Sequence, residues 1–157
     1  MTPAFQPQIR EADLDDPRVT ALIAAHQRDM LAASPPGTSF ALDLSGLRDP
    51  AVTVLAAWDG EALAAIGALK RLSPGHAEIK SMRTSADYLR RGVARLMLEA
   101  LIDRAREERI ARLSLETGSG EKFEPALALY RHRGFANGPA FADYRITEFN
   151  QCLHLAL

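Results

Sequence analysis

Two rhythms of apolar and polar positions run along this chain, and the changes between them mark its elements. Residues 52–58, Val-Thr-Val-Leu-Ala-Ala-Trp, are apolar and β-branched enough for a strand. The Asp59-Gly60 pair that follows is a hairpin-turn signal, so residues 63–72 read as the returning strand. Ser73-Pro74-Gly75 turns the chain again, into a third strand over 77–84. A helical rhythm takes over at 93–108. There Val93, Leu96, Met97, Ala100, Leu101 and Ala105 form one stripe, while Arg95, Glu99, Asp103, Arg106 and Glu107 face water.

The same reading extends to both ends. Residues 6–10 suit a short first strand, and Asp15-Asp16-Pro17 is a helix start, with a capping acid before a first-turn proline. The helix over 19–33 offers Val19, Leu22, Ile23, Met30 and Leu31 to a core and stops at Ser34-Pro35-Pro36-Gly37. Residues 40–47 are ambiguous between a short helix and an ordered loop lining a site. Beyond the 93–108 helix come a buried strand at 112–116, a loop at Thr117-Gly118-Ser119-Gly120, and a helix over 123–133 closed at Gly134. Final strands are predicted at 143–147 and 152–155. The order is α/β: an antiparallel meander, then a strand–helix–strand–helix–strand unit in a mixed, mostly antiparallel sheet of six or seven strands.

Composition narrows the function classes. The 157 residues suit one domain with a real core. A formal net charge of -1 supplies no global field for nucleic acid or an acidic membrane. No apolar run reaches the roughly 18–20 residues that span a bilayer. The charged start at Arg10, Glu11, Asp13, Asp15 and Asp16 lacks a signal-peptide apolar region, so a cytoplasmic location is expected. Cys152 is the single cysteine, which excludes an internal disulfide, and His26, His76, His132 and His154 share no metal-ligand spacing. No metal is expected.

The segment Leu89-Arg90-Arg91-Gly92-Val93-Ala94 carries the sharpest chemistry. It leads from the third strand into the start of the 93–108 helix, where backbone N–H groups lack intrahelical partners and the helix dipole is positive. Glycine and alanine let a ligand approach closely, and two arginines add fork-shaped donors. This combination favours a pyrophosphate.

With two further blocks, the segment resembles the GNAT superfamily of acetyl-CoA-dependent N-acetyltransferases. The family's phosphate motif is Gln/Arg-x-x-Gly-x-Gly/Ala. Gly92 and Ala94 match it, and Leu89 stands where the family carries a polar residue. The other blocks are Ala126-x-x-Leu129-Tyr130-x-x-x-Gly134-Phe135 and the strand Ala77-Glu78-Ile79-Lys80-Ser81-Met82-Arg83-Thr84. The resemblance is good over residues 50–145 and rests only on the order of elements before them. It implies the GNAT-like acyl-CoA N-acyltransferase fold with about four helices, a cofactor-binding core over 77–135 and an acceptor-site wall over 9–47.

The resemblance also implies roles. Met82, Arg83 and Thr84 would splay from the neighbouring strand and pair with pantetheine, with the Met82 N–H polarising the acetyl carbonyl. Leu89 to Ala94, including Val93, would cradle the pyrophosphate, and Thr117 would donate to pantetheine or cap its own loop. Tyr130 matches the family tyrosine beside the thioester sulfur and otherwise reads as a packed helix residue. Glu78 matches a position from which family members deprotonate the amine and otherwise reads as a strand glutamate paired with Lys80. Phe141, Asp143 and Tyr144 would line the acceptor pocket, Asp143 holding a cationic amine, or else form a packed hinge. The implied acceptor is a small-molecule amine, and a homodimer is compatible with the family. A non-catalytic acyl-CoA sensor or an interaction module of the same fold is the alternative reading.

Overall fold

The hairpin turns build the centre of the sheet in the computed structural model, which describes residues 5–157. Strand β1 (Gln8–Glu11) pairs antiparallel with β2 (Val52–Asp59), which pairs with β3 (Ala62–Ser73), which pairs with β4 (His76–Thr84). Between β1 and β2 lie helices α1 (Pro17–Ala33) and α2 (Leu44–Leu47). Asp16 caps α1 by accepting from the Arg18 N–H, and Asp43 caps α2 by accepting from the Gly46 N–H. The ambiguous 40–47 stretch is therefore loop followed by one turn of helix. Helix α3 (Val93–Glu107) carries the chain from β4 to β5 (Arg112–Gly118), and this pair is the sheet's one parallel junction. Helix α4 (Glu124–Arg133) ends at Gly134, whose φ of 112° suits glycine, before β6 (Ala136–Gly138) and β7 (Asn150–Ala156). The seven strands run in the order β1-β2-β3-β4-β5-β7-β6.

Both faces of the sheet are covered, which explains the unbroken apolar run in β2. Val54, Ala56 and Trp58 pack with Val19, Ile23 and Leu47 from α1 and α2. Leu55 and Ala57 face the other cluster, with Met97, Leu98, Leu101 and Ile102 of α3.

Three sequence expectations are corrected. Leu31 is 61% exposed, because at about 100° per residue it lies about 80° from Ile23, whereas Met30 stays on the stripe. Leu96 is also exposed, and the buried face of α3 runs instead through Met97, Leu98, Leu101, Ile102 and Ala105. Residues 143–147 form a loop, not a strand. The Asn150 side chain there accepts from the Thr147 N–H and donates to the Arg145 carbonyl, satisfying groups that a ladder would otherwise use. The strand before β7 is β6, whose Ala-Asn-Gly sequence carries no strand signal.

Candidate active site

The sheet parts midway along β4. Strands β4 and β5 pair only through His76, Ala77 and Glu78 against Arg112, Leu113 and Ser114. Beyond that point β5 stays with β7, and β4 stays with β3. The second half of β4 thus has a free edge toward β5. On its other side Ala68 pairs with Lys80 and Ile66 with Arg83, so Ser81 and Met82 together oppose Gly67. This is a β-bulge, with Ser81 at φ 55°. A side chain at position 67 would meet Met97 Cγ at 2.9 Å and Met82 Sδ at 3.0 Å, so glycine lets these side chains close over the bulge without shifting.

A cleft of about 700 Å³ opens beside this edge. Met82, Arg83 and Thr84 line it from β4, Leu89, Arg90, Gly92, Val93 and Ala94 from the turn into α3, and Tyr130 from α4. Arg90 and Gly92 both hold positive φ, 62° and 79°, which turns the backbone sharply at the helix start. No side chain caps α3, and its first turn has no acid, while Arg104 and Arg106 sit in the last turn. The free N–H groups and the positive dipole end are therefore left for an external anion. Arg91 is not part of the lining. Its guanidinium lies 4.5 Å from the Phe5 ring centroid and 4.8 Å from that of Tyr88, a stacked arrangement that supports the turn from outside. Tyr130 is buried, packs edge-on against Phe135, and has no hydrogen-bond partner for its hydroxyl among the described residues. Burial pushes its pKa up, so the phenol stays protonated and free to donate.

A second, smaller cavity of about 90 Å³ lies on the opposite side of the parted strands, where α1 and the 38–41 loop face β4 and β5. Glu78, Lys80 and Ser81 line it from β4, Glu116 and Thr117 from β5, and His26 from α1. Glu78 is only 2% exposed. Its Oε2 accepts from Lys80 Nζ at 3.2 Å and from the Tyr144 hydroxyl at 2.5 Å, and Lys80 Nζ donates to that hydroxyl oxygen at 2.6 Å. Burial and the neighbouring Glu78 charge push the Tyr144 pKa up, keeping it a donor. Glu116 accepts from Asn150 Nδ2 at 3.1 Å, and burial raises its pKa. His26 Nδ1 and Ser81 Oγ are buried without any partner among the described residues.

A polar relay holds Tyr144 in place. His154 Nε2 donates to the Pro139 carbonyl at 2.8 Å, which leaves its Nδ1 to accept from Ser114 Oγ at 2.7 Å. Ser114 Oγ then accepts from His76 Nε2 at 2.7 Å. Phe141 packs on both imidazoles and against Tyr144, at 5.0 Å between ring centroids. The 139–144 loop is thereby fastened over Glu78.

The structure gathers most of the residues singled out from the sequence and separates a few. Thr117 lines the small cavity, not the large cleft. None of Phe141, Asp143 and Tyr144 lines either cavity: Asp143 is exposed, Phe141 is a buried support for Tyr144, and Tyr144 reaches the small cavity only through its hydrogen bonds to Glu78 and Lys80. Sequence reasoning missed Glu116 and His26. His26 carried a signal, since it continues the buried α1 stripe of Val19 and Ile23 as a polar residue. The Glu116 position gave none, because its alternation in a buried strand resembles ordinary edge polarity.

Residues 14–135 match the acetyltransferase (GNAT) family. The chain is 48% identical over 149 residues to the uncharacterized N-acetyltransferase YedL of Escherichia coli K12, covering 95% of this chain and 94% of that one. A Klebsiella pneumoniae structure named for the acyl-CoA N-acyltransferases superposes with a TM-score of 0.80 at 26% identity, over 96% of this chain and 97% of its own. A Bacillus subtilis acetyltransferase solved in complex with CoA has the same fold, with a TM-score of 0.68 at 17% identity over 97% and 99% of the two chains. Among the described residues, no helix is long and apolar enough to cross a membrane.

Proposed function

The chain belongs to the acetyltransferase (GNAT) family and is an N-acetyltransferase that uses acetyl-CoA, and we propose that it moves the acetyl group directly to a primary amine of a small acceptor. The observation that carries this reading is the free edge of β4. It borders the large cleft on one side and the small cavity on the other, so donor and acceptor can meet at one strand. The cleft also fits the donor by its chemistry: an uncapped helix start for phosphates, unpaired strand edge for an amide-bearing chain, and a buried phenol without a partner.

In this reading the N–H groups at the start of α3, with Arg90, hold the pyrophosphate, and Arg91 braces the turn. Met82, Arg83 and Thr84 align the pantetheine, and the Met82 N–H faces the acetyl oxygen. When bound, acetyl-CoA supplies a thioester carbon that gains a bond to the amine nitrogen as its bond to sulfur breaks, giving the N-acetyl amine and CoA thiol. Glu78 takes the proton lost by the amine nitrogen, with Tyr144 and Lys80 orienting its carboxylate. Tyr130 gives its proton to the departing sulfur and recovers one from solvent. The residues named need no metal for this transfer. The 77–135 segment supplies the donor side, and α1 with the 38–41 loop, inside 9–47, walls the acceptor side.

Calorimetric titration with acetyl-CoA tests the donor half. Saturable binding, weakened at least about tenfold in Arg90→Glu, is expected from a charge reversal beside a pyrophosphate. Absence of binding at millimolar acetyl-CoA would overturn the assignment and favour the interaction-module alternative.

A further inference from the structure

Resting on Glu78 as the base that meets the acceptor amine, we infer that Ser114 is a positioning residue for the transfer. With His76 and His154 it fixes the loop that sets the Tyr144 hydroxyl on Glu78, and so determines which carboxylate oxygen is offered to the amine. These residues share one face of the sheet. Glu78 stands opposite Ser114 across β4 and β5, and Ser114 stands opposite His154 across β5 and β7. Opposed residues of neighbouring strands point to the same side, as does His76, two residues before Glu78. The pair Glu78–Ser114 is also the last rung before β4 and β5 part. A polar rung thus closes the sheet where the cleft opens, with the carboxylate at its end.

Tyr144 has no strand to hold it. Residues 139–149 join β6 to β7 without ladder pairing, and the Asn150 side chain fastens them only from Arg145 onward. The earlier part depends on Ser114, which is wholly buried with its Oγ 2.7 Å from a nitrogen of each imidazole. The Pro139 carbonyl can only accept, so His154 Nε2 donates to it, Nδ1 accepts from Ser114, and Ser114 has only lone pairs left for His76. Each bond fixes the direction of the next. Phe141, two residues beyond Pro139, packs on both imidazoles and on the Tyr144 ring, and its carbonyl accepts from the Tyr144 N–H at 3.0 Å. The consequence falls on the carboxylate. Tyr144 and Lys80 both donate to Oε2, while Oε1 has no partner among the described residues, so Oε1 is the oxygen left for the amine. With the relay cut and Tyr144 released, Glu78 keeps only Lys80, and either oxygen can turn toward it.

The test reads Tyr144 directly. The chain holds three tyrosines, Tyr88, Tyr130 and Tyr144, so labelling the phenol carbon Cζ with carbon-13 gives three NMR signals, and Tyr144→Phe identifies that of Tyr144 by its loss. In Ser114→Ala the Tyr144 signal is expected to shift or broaden as its bond to Glu78 is released, while the other two stay in place. Gly138→Ala reaches the same relay from the exposed β6, since its methyl would lie 2.7 Å from His154 Cδ2 and displace the ring, and it should move the same signal without touching the core. Free-thiol release from acetyl-CoA with n-butylamine, ethanolamine and 1,4-diaminobutane supplies the kinetics. In Ser114→Ala, kcat should fall about tenfold while acetyl-CoA affinity stays within about twofold. In the Tyr144→Phe background the same substitution should change kcat by less than about twofold, because no hydroxyl is left to position. A Tyr144 signal unmoved in both variants, a shifted signal with unchanged kcat, or a full loss of kcat that persists in the Tyr144→Phe background would overturn the inference. The last would show a role in stability alone. Acetyl-CoA binding with none of the three amines acetylated would instead overturn the small-amine reading, and the tyrosine signals would still decide whether Ser114 holds Tyr144.

Discussion

Acidification should destabilise this protein through His26, and the size of the effect follows from its surroundings. Burial, and then the charge of Arg83, hold the ring's pKa at about 4 against an ordinary 6.5. Between those values the unfolded chain carries a proton on His26 that the native state refuses. Stability conferred by the neutral ring is therefore fully present above pH 6.5, declines as pH falls, and levels off below pH 4. The shift corresponds to about 3 kcal/mol at the lower limit and about 2 kcal/mol by pH 5. Burial lowers the His76 pKa too, which acts in the same direction, while the raised pKa of Glu116 acts in the opposite one. Both groups remain in His26→Leu, so the difference between the two proteins isolates His26. Urea unfolding of each at pH 7, 6 and 5 is the assay. Relative to the variant, the native sequence should lose about 2 kcal/mol between pH 7 and 5, roughly 1 M in urea midpoint at a slope of roughly 2 kcal/mol/M. Parallel stability curves for the two proteins across that range would refute a buried, neutral His26.

Three further outcomes follow from the site. Tyr130→Phe should lower kcat about 100-fold while acetyl-CoA affinity stays within about twofold, since only the donated proton is lost; unchanged turnover would remove it as the acid. Glu78→Gln keeps an acceptor for Tyr144 but cannot take a proton, so kcat should fall at least about 100-fold, and undiminished turnover would assign the base elsewhere. Gly118→Ala should cost about 1–3 kcal/mol in thermal or urea unfolding, because the added methyl would lie 2.5 Å from Phe149 Cζ and 2.7 Å from Phe123 Cζ; wild-type stability would show that these rings move freely.

What was legible in the sequence was whatever local chemistry dictates. The Asp59-Gly60 and Ser73-Pro74-Gly75 turns, the Asp16 cap before Pro17 and the Gly134 stop each specify backbone by themselves, and the corresponding elements appear at those places. The helix-start turn at Arg90 to Ala94 was legible for the same reason. Arg91 was not, because its direction depends on the rings of Phe5 and Tyr88, one of them far away in the chain. Residues 143–147 misled because the Asn150 side chain takes the Thr147 N–H and the Arg145 carbonyl, contacts that no local pattern in the segment reveals. The acceptor side was least legible. Its polar groups come from α1, β4, β5 and the loop bearing Tyr144, and no spacing within one segment reveals a cluster assembled from four.

The irregularities of β4 connect fold and chemistry more closely than any of these residues alone. A regular strand would alternate its side chains strictly and pair on both edges, leaving neither a ligand edge nor two adjacent residues serving the same cavity. The bulge breaks the alternation: the consecutive Lys80 and Ser81 both line the small cavity, and the next two residues, Met82 and Arg83, both line the large cleft. Its cost is real, since positive φ on a non-glycine residue is about 1–2 kcal/mol unfavourable and Ser81 Oγ is left unpaired. The bare face of Gly67 makes the distortion packable, by letting Met82 and Met97 close over it. Strain, orphaned hydroxyl and an edge without a strand partner therefore coincide on consecutive residues of β4.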